Sequence, residues 1–324
     1  MMEIIRRIPI LYAAAIYNQR FWNRIRAGRG ILGPGLGPSA GGGTDSAAYC
    51  YSVWLRHLSI AYEYGLQQIP DVVAELGPGN SIGIGLAALI SGASKYFALD
   101  TVRYSNTERN MSVFDGLVEL FRKKLDIPDE TEFPEVNPRL KSYEFPSRIL
   151  SDEWLNKCLA SDRIESIRKA ILNEDSANPI QIRYFAPWYD SKVIHDNSIV
   201  MLYSQAVLEH VEDLREAYSA IHRWLKPGGY MSHQIDFRSH GKSVDWNGHW
   251  VYPDYVWKIV GQNYINRQPC SQHVQAIQQL GFQILHFHKT ENDNGIQSRH
   301  LASRWKNISN EDLTCQSLFI VAKK

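Results

Sequence analysis

Two glycines one residue apart follow an apolar run that ends in a carboxylate. In VVAELGPGNSIGIG, residues 72–85, Glu75 precedes Gly77 and Gly79, and helix-compatible sequence comes next. Glycine has no Cβ, so the backbone can turn tightly there and a ligand can approach the main chain. A strand, a glycine turn and a helix in this order present free N–H groups to a cofactor in α/β proteins.

A second carboxylate ends the next apolar run, KYFALD, at Asp100. It lies about 20 residues beyond the glycine turn, where a carboxylate can accept both hydroxyls of a ribose. A dinucleotide fingerprint, GxGxxG, needs a third glycine at position 82, but Ile82 stands there and Gly83 comes one residue late. The spacing therefore disfavours a nicotinamide dinucleotide, although Asp100 suits either class of cofactor.

A third polar group follows the predicted fifth strand, in HQIDFRSHGKSVDWNGHW, residues 233–250. His233, His240 and Asp236 are the candidates for a general base, and alternation along the strand places His233 and Asp236 on opposite faces. The competing interpretation is that these are surface loop histidines. A metal site built from the same three residues is a further alternative, but their spacing fits no standard motif, and we expect no metal.

The elements that must position these residues alternate between strand and helix. Seven strands with interleaved helices predict a doubly wound, mostly parallel α/β sheet, because parallel strands need crossover helices. The predicted strands are DVVAELG, KYFALD, QIRYFA, SIVMLYS, YMSHQIDF, FQILHFH and SLFIVAK. The predicted helices are Thr44–Gly65, capped by Thr44 or Asp45, then Ile82–Ser91, Asn106–Lys124, a stretch near Ser151–Leu172, and Val211–Leu225, which KPGG stops.

Two segments stand apart from this alternation. Residues 1–69 are predicted to form an N-terminal helical extension with a glycine-rich linker at 28–43, and residues 70–324 the α/β domain. An acidic, proline-broken and partly helical insertion at 126–178 separates the second and third strands. We expect the extension and the insertion to cap the substrate side, with the glycine-rich stretch as a hinge or flap.

The first 30 residues are basic, with six arginines and one acid, hence a charge of +5. Their apolar stretch, residues 8–17, is ten residues long, whereas a membrane span needs about 20. A helix packed on the body of the protein is the favoured interpretation. Peripheral contact with an anionic membrane surface and a weak signal peptide are the alternatives.

Composition narrows the class of protein further. The 324 residues carry a formal net charge of +1, which provides no global attraction to nucleic acid, and we expect none as a partner. The four cysteines are far apart and form no CxxC pair, which disfavours a disulfide framework and is typical of a cytoplasmic protein.

Four short motifs, taken together, carry a family resemblance. AELGPGNSIG, LD at 99–100, LEHV at 208–211 and LKPGG at 225–229 occur in order. Over roughly residues 70–240 the chain resembles the class I, Rossmann-like, S-adenosylmethionine-dependent methyltransferases. The resemblance implies a seven-stranded sheet whose final strand runs antiparallel, which SLFIVAK near the C-terminus could supply.

The resemblance also implies roles for particular residues. Glu75, Gly77 and Gly79 would surround the methionine end of S-adenosylmethionine, and Asp100, followed by Thr101, would bind the ribose. Tyr203 and Ser204 would line the methyl-transfer cleft, and His210 matches the histidine of LEHV, more as a cap or packing residue than as a catalyst. One departure is FAPW at 185–188, where the family often has an acid that meets the adenine.

The function expected from all of this is in-line methyl transfer to oxygen or nitrogen of a small-molecule or saccharide acceptor. Aromatic residues between 246 and 264, with Tyr51, Trp54 and His57, could form a wall for an apolar or sugar-ring acceptor or simply pack a core. The alternatives are a nicotinamide-dependent oxidoreductase and a non-catalytic S-adenosylmethionine-binding protein. The sequence leaves the oligomeric state open.

Overall fold

A computed structural model describes residues 43–173, 177–188, 190, 192–243, 245–261 and 264–324. The predicted helix within residues 1–30 and all but the last residue of the glycine-rich stretch lie outside the described residues. Nine α-helices occur in the described ranges. They are α1 (Ala47–Glu63), α2 (Gly83–Ser91), α3 (Thr107–Lys123), α4 (Asp152–Cys158), α5 (Ser161–Leu172), α6 (Leu214–Trp224), α7 (Asp254–Val260), α8 (Cys270–Gln279) and α9 (Asn310–Thr314).

One seven-stranded sheet forms the centre of the molecule. Its strands are β1 (Val72–Leu76), β2 (Lys95–Leu99), β3 (Gln181–Phe185), β4 (Ile199–Gln205), β5 (Leu225–Asp236), β6 (Gln283–Glu291) and β7 (Cys315–Lys323). Their order is β3-β2-β1-β4-β5-β7-β6. The first five run parallel, and β7 pairs antiparallel with both β5 and β6. The predicted doubly wound sheet and its antiparallel final strand are confirmed.

Helices cover both faces of the sheet and bury two apolar cores. One core joins α1, α2, α3 and α5 to residues such as Tyr96, Met201 and Tyr203. The other joins α6 and α8 to residues such as Leu202 and Ile320 on the opposite face. Because both faces of β1 and β4 are covered, these strands are almost entirely apolar, as parallel strands generally are.

The part of the predicted extension within the described residues belongs to the core. Tyr51, Trp54 and Leu58 on α1 are all 0% exposed and pack in the first core. Trp54 Nε1 donates to Ser91 Oγ on α2 at 2.8 Å. The helix at 47–63 is thus an integral layer of the α/β domain, and this differs from the domain boundary predicted at 69/70.

Two predicted helix ends need correction. Ser46, and neither Thr44 nor Asp45, caps α1, because its Oγ accepts from Tyr49 N–H at 3.3 Å. The Thr44 hydroxyl instead accepts from Ser81 N–H at 3.2 Å, which ties the start of α1 to the glycine turn. The stretch near 151–172 is two helices, α4 and α5, rather than one.

The segment after β4 also differs from its prediction as one helix over 211–225. Leu208–His210 forms a short 3-10 turn, and α6 begins only at Leu214, where Asp213 Oδ1 accepts from Glu216 N–H at 2.9 Å. KPGG lies inside β5 rather than in a turn before it, since Leu225 already pairs with Ile199 of β4. None of the helices in the described ranges is both long and apolar enough to cross a bilayer.

A buried arginine makes most of the hydrogen bonds that hold the insertion to α1, and the Ser52 hydroxyl adds one to Pro128 O at 2.8 Å. Arg56 is 0% exposed, and its guanidinium donates to the carbonyl oxygens of Val136, Pro138 and Pro128, each at 2.8 Å. Its Nε also donates to Ser52 Oγ at 3.0 Å. These bonds hold the loop at 128–138 beside the carboxyl end of the sheet, where Gln205 Nε2 donates to Asn137 O at 3.1 Å.

Candidate active site

The carboxyl ends of the five parallel strands meet along one edge of the sheet. In doubly wound sheets ligands bind in the crevice outside these ends. The glycine turn follows β1, Asp100 follows β2, the LEHV segment follows β4, and Asp236 ends β5 with residues 237–240 after it. The structure therefore brings Gly77, Gly79, Asp100, Asp236 and His240 to one edge.

The glycine turn after β1 is a tight turn that requires glycine, as the sequence predicts. Gly77 and Gly79 both have left-handed backbone conformations, with φ of +66° and +77°, which non-glycine residues rarely adopt. Gly77 N–H donates to Leu99 O at 2.8 Å, which places the turn against the end of β2. A Cβ at Gly77 would lie 2.5 Å from Val207 Cγ2, so this position excludes any side chain.

Asp100 lies next to that turn. Backbone N–H groups of Thr101, Val102 and Gly79 face its carboxyl group and lower its pKa, but burial outweighs them and raises the pKa above its usual value. Oδ1 accepts from Thr101 N–H at 2.7 Å. The structure thus brings Asp100 and Gly79 together, with Thr101 exposed beside them.

The end of β3 provides backbone groups rather than a side-chain acid. Asp100 N–H donates to Phe185 O at 3.0 Å, and Trp188 N–H donates to Asp100 O at 3.2 Å. Ala186 and Pro187 between them are exposed. The sequence has no acidic residue at 185–188 to contact an adenine, and the structure has main-chain groups at this side of the crevice.

Glu75 faces the α1–α3 layer. It is 2% exposed, and its Oε2 accepts from the hydroxyls of Tyr96 on β2 and Tyr203 on β4. Burial raises its pKa to about 8, although both hydroxyls lower it. These contacts cross-link three neighbouring strands. The expected contact of Glu75 with the cofactor stays a prediction.

Three of the predicted cleft residues have buried side chains instead. Tyr203, Ser204 and His233 are each 0% exposed. Ser204 Oγ lies 2.7 Å from His233 Nδ1, beneath α6 and α8, and burial lowers the pKa of His233 to about 3. Their strands are covered on both faces, so side chains at these positions enter a core. This differs from the expectation that Tyr203 and Ser204 line the cleft and that His233 is the first candidate for the base.

The other two base candidates do lie at the edge. Arg238 donates two hydrogen bonds to Asp236 Oδ2, from Nε at 2.9 Å and from Nη2 at 2.7 Å. Its Nη1 forms an ion pair with Glu135 of the insertion. His240 has a left-handed backbone, with φ of +47°, and its Nε2 lies 3.9 Å from Asp236 Oδ2. Burial lowers the pKa of His240, so the imidazole is neutral near pH 7.

Glu209 of the LEHV segment completes this group and was missed in the sequence. It is 3% exposed, and its Oε1 lies 3.9 Å from His240 Nε2. Burial and the neighbouring Asp236 raise its pKa well above the usual value. His210 is half-buried, and its ring centroid lies 5.2 Å from that of His240. The only sequence signal for Glu209 was its place beside the LEHV histidine.

The candidate aromatic wall divides between core and surface. Tyr51, Trp54 and His57, on the buried side of α1, are fully buried, and Trp250 is 0% exposed. Those residues pack a core. Tyr255 and Tyr264 are 63% and 43% exposed, and only Tyr264 adjoins the acid–histidine group, with its ring 4.7 Å from that of His210.

A comparison with protein families matches residues 149–232 to the family described as a methyltransferase domain. The matched span runs from before α4 into β5 and includes the LEHV segment after β4. Together with the strand order and the glycine turn beside Asp100, this match supports a class I S-adenosylmethionine-dependent methyltransferase, with S-adenosylmethionine as its cofactor.

Solved structures similar to this chain are distant. One is an S-adenosylmethionine-dependent methyltransferase from Mesorhizobium loti, with 15% identity, a TM-score of 0.41, and coverage of 82% of this chain and 96% of that one. A Methanosarcina mazei methyltransferase has 14% identity, a TM-score of 0.42, and coverage of 82% and 96%. Phosphoethanolamine N-methyltransferase 2 from Haemonchus contortus, in complex with S-adenosyl-L-methionine, has 14% identity, a TM-score of 0.41, and coverage of 86% and 57%. A search of the curated proteins finds no relative of this chain.

Proposed function

We propose that this methyltransferase transfers a methyl group to an oxygen or nitrogen of a small-molecule or saccharide acceptor. The observation that carries the proposal is the polar group at the ends of β4 and β5, formed by Glu209, Asp236 and His240. Such a group can orient a hydroxyl or amine and take its proton, beside the turn that faces the cofactor.

The cofactor is proposed to lie along the ends of β1 and β2. The turn from Gly77 to Gly79 would give the cofactor close access to the main chain, and Asp100, with Thr101 beside it, would bind the ribose hydroxyls. The contact of Gly79 with Asp100 supports this arrangement, since one ligand could reach both. For Glu75 we propose a supporting role through the strands that it links, and its direct contact with the cofactor stays a prediction.

The reaction follows from the positions of the two halves of the crevice: the cofactor half at the ends of β1 and β2, and the acceptor half at the ends of β4 and β5. The acceptor atom attacks the sulfonium methyl group in line, so that a bond from the acceptor to carbon forms while the sulfur–carbon bond breaks and leaves a thioether. The acceptor proton goes to a base at the β5 exit or to solvent. His240, neutral near pH 7, is our choice for that base in the absence of a bound ion, with Asp236 second because Arg238 already pairs with it.

The insertion is proposed to cover the acceptor half of the crevice. Two contacts support this position: Asn137 O accepts from Gln205 at the end of β4, and Glu135 pairs with Arg238 after β5. A cover here would exclude water from the methyl transfer. The lid role of residues 1–43, their contact with an anionic membrane surface and the cytoplasmic location of the chain stay predictions.

Two measurements test the function. Thermal unfolding with S-adenosylhomocysteine or NAD distinguishes the cofactor classes, because a ligand that binds only the folded state raises its melting temperature. We expect a rise with S-adenosylhomocysteine alone. Transfer of a radiolabelled methyl group is then screened over alcohols, amines and saccharides. A protein that binds S-adenosylhomocysteine but methylates no acceptor of these classes would contradict the proposal.

A further inference from the structure

The buried carboxylate of Glu209 has no cationic side chain among the described residues in contact with it: Arg238 and the backbone N–H groups of Glu209 and Asp236 lower its pKa, but burial and the Asp236 carboxylate outweigh them. Neither Oε1 nor Oε2 has a hydrogen-bond partner within the described ranges, and both atoms are buried. An ionised carboxylate that is buried without a partner costs several kcal/mol. The group therefore requires either a proton or a cation, and the surrounding side chains suit a cation.

Two imidazoles adjoin the same carboxylate. His210 Nδ1 contacts the carbonyl oxygen of Tyr264, and since a carbonyl only accepts, Nδ1 carries the hydrogen and Nε2 keeps its lone pair. His240 Nε2 is also buried without a hydrogen-bond partner in the ranges described, and it lies 3.9 Å from Glu209 Oε1. Histidines that bind metals usually donate a hydrogen bond from one ring N–H to a carbonyl or carboxylate and bind the metal through the lone pair of the other ring nitrogen.

The three residues are close enough to share one ion. One ligand atom from each of Glu209, His210 and His240 lies within 4.8 Å of the others, and no ion is present. Ligands at ~2.1 Å from a metal stand at most ~4.2 Å apart, so small side-chain rotations would bring the three into coordination. Asp236 Oδ2, 3.9 Å from His240 Nε2 and fixed by Arg238, adds negative charge beside them.

We propose that Glu209, His210 and His240 bind a divalent transition-metal ion in the acceptor half of the crevice. Two imidazole nitrogens and one carboxylate oxygen suit ions such as Zn²⁺, Mn²⁺ or Fe²⁺ better than Mg²⁺ or Ca²⁺, which prefer oxygen ligands. This site differs from the expectation of no metal, and also from the alternative metal site of His233, Asp236 and His240. His233 lies under α6 and α8 with Ser204, and Asp236 is held by Arg238.

The ion would define the class of acceptor, and this step rests on the proposed function. Three protein ligands leave coordination positions open, as in catalytic metal sites. An acceptor hydroxyl bound there has a lowered pKa, loses its proton to solvent, and attacks the methyl group as an alkoxide. With His240 as a ligand, the ion replaces it in preparing the nucleophile. Acceptors with two neighbouring oxygens, such as a vicinal diol of a sugar or a hydroxy acid, would bind best.

Calorimetric titration of Zn²⁺ into the untagged, metal-free, full-length chain tests the site without any cofactor. We expect one ion per chain. Glu209→Gln and His240→Ala should each weaken its affinity at least about tenfold, as loss of even an outer-shell partner often does. His288→Ala removes an exposed histidine on β6 and should leave the affinity within twofold. The absence of binding, or equal affinity in all four proteins, would overturn the site.

Thermal unfolding keeps the test independent of folding defects in the variants. Glu209→Gln removes a buried charge without changing shape, so the variant should fold, and Zn²⁺ should raise the melting temperature of the parent but not of this variant. A parallel titration with S-adenosylhomocysteine separates the two proposals. If the parent binds S-adenosylhomocysteine but no Zn²⁺, only the metal site is wrong. If it binds Zn²⁺ but no S-adenosylhomocysteine, the proposed function is wrong.

Discussion

At the scale of single residues, Asp100 is the sharpest test of where the cofactor lies. Its carboxylate adjoins both the glycine turn and the exposed Thr101. A charge-assisted hydrogen bond contributes about 1.5–3 kcal/mol, so Asp100→Ala should weaken S-adenosylhomocysteine at least about tenfold. Calorimetry measures the change, and Asp162→Ala, an exposed acid on α5, is the matched control. Parent-like affinity in a folded Asp100→Ala protein would remove Asp100 from the site.

Gly77 is a poorer probe, although its conformation is the more distinctive. A new Cβ would meet Val207 Cγ2 at 2.5 Å, and the φ of +66° would strain any other residue. A substitution there would therefore change folding and cofactor access together. Asp100→Ala adds no atoms and keeps an ordinary backbone conformation, and it removes only the carboxylate with its bonds to neighbouring N–H groups.

Glu75 gives a prediction about pH. Burial raises its pKa in the folded state to about 8, whereas its usual value is 4.5. Below about pH 4.5 the group is protonated in both states, so it has no effect on relative stability. Between about 4.5 and 8 the folded protein must keep a proton that the unfolded chain releases, so stability falls as pH rises, by about 1.4 kcal/mol per unit.

Glu75→Gln removes that titration but keeps an oxygen that the two tyrosine hydroxyls can contact. We expect this variant to have a larger free energy of unfolding than the parent at pH 7.5. The difference between variant and parent should be roughly 2–3 kcal/mol larger at pH 7.5 than at pH 5. Urea unfolding at both pH values measures it. Glu165→Gln, an exposed acid on α5, is the control. A difference that does not change with pH would show that Glu75 is not a buried, titrating carboxyl group.

At the scale of elements, Arg56 fixes the insertion to α1. Arg56→Met keeps the length and apolar stem of the side chain but leaves the carbonyls of Val136 and Pro138 without their donor, and Pro128 O keeps only the Ser52 hydroxyl. The expected loss in the free energy of unfolding is about 3 kcal/mol or more, because buried acceptors lose charged partners. Urea unfolding measures it, with the exposed Arg122→Met as control.

The same variant tests the proposed cover over the acceptor. If the loop at 128–138 closes the acceptor half, Arg56→Met should reduce methyl transfer more than it reduces the affinity for S-adenosylhomocysteine. Calorimetry and a radiolabel assay measure the two effects separately. Equal losses of both, or unchanged turnover in a folded variant, would count against a cover at this position.

Elements were more predictable than the directions of their side chains. Strands such as β1 and β4 are apolar runs between turn residues, and the sequence located them because local pattern determines them. The same apolar composition hides orientation, since strands covered on both faces show no polar alternation. For that reason Tyr203, Ser204 and His233 were expected at the cleft but lie in the two cores.

At the scale of the whole molecule, long-range pairings decided what the sequence could not. Glu209 can be recognised as a candidate site residue only in the structure, where His240, 31 positions later in the sequence, lies 3.9 Å from it. Arg56 meets carbonyls of a proline-broken loop that has no pattern of its own. The doubly wound sheet and its antiparallel final strand, by contrast, were predicted from the alternation of strands and helices and from the four motifs, whereas the spatial order of the strands was read from the structure.

The central claim is that the crevice at the ends of β1, β2, β4 and β5 binds S-adenosylmethionine for transfer of its methyl group. Calorimetric titration of S-adenosylmethionine into the full-length chain tests it most directly, with NAD in a matched titration. The account predicts one S-adenosylmethionine per chain, displaced by S-adenosylhomocysteine, and no heat of binding with NAD. Binding of NAD in place of S-adenosylmethionine, or binding of neither, would contradict it.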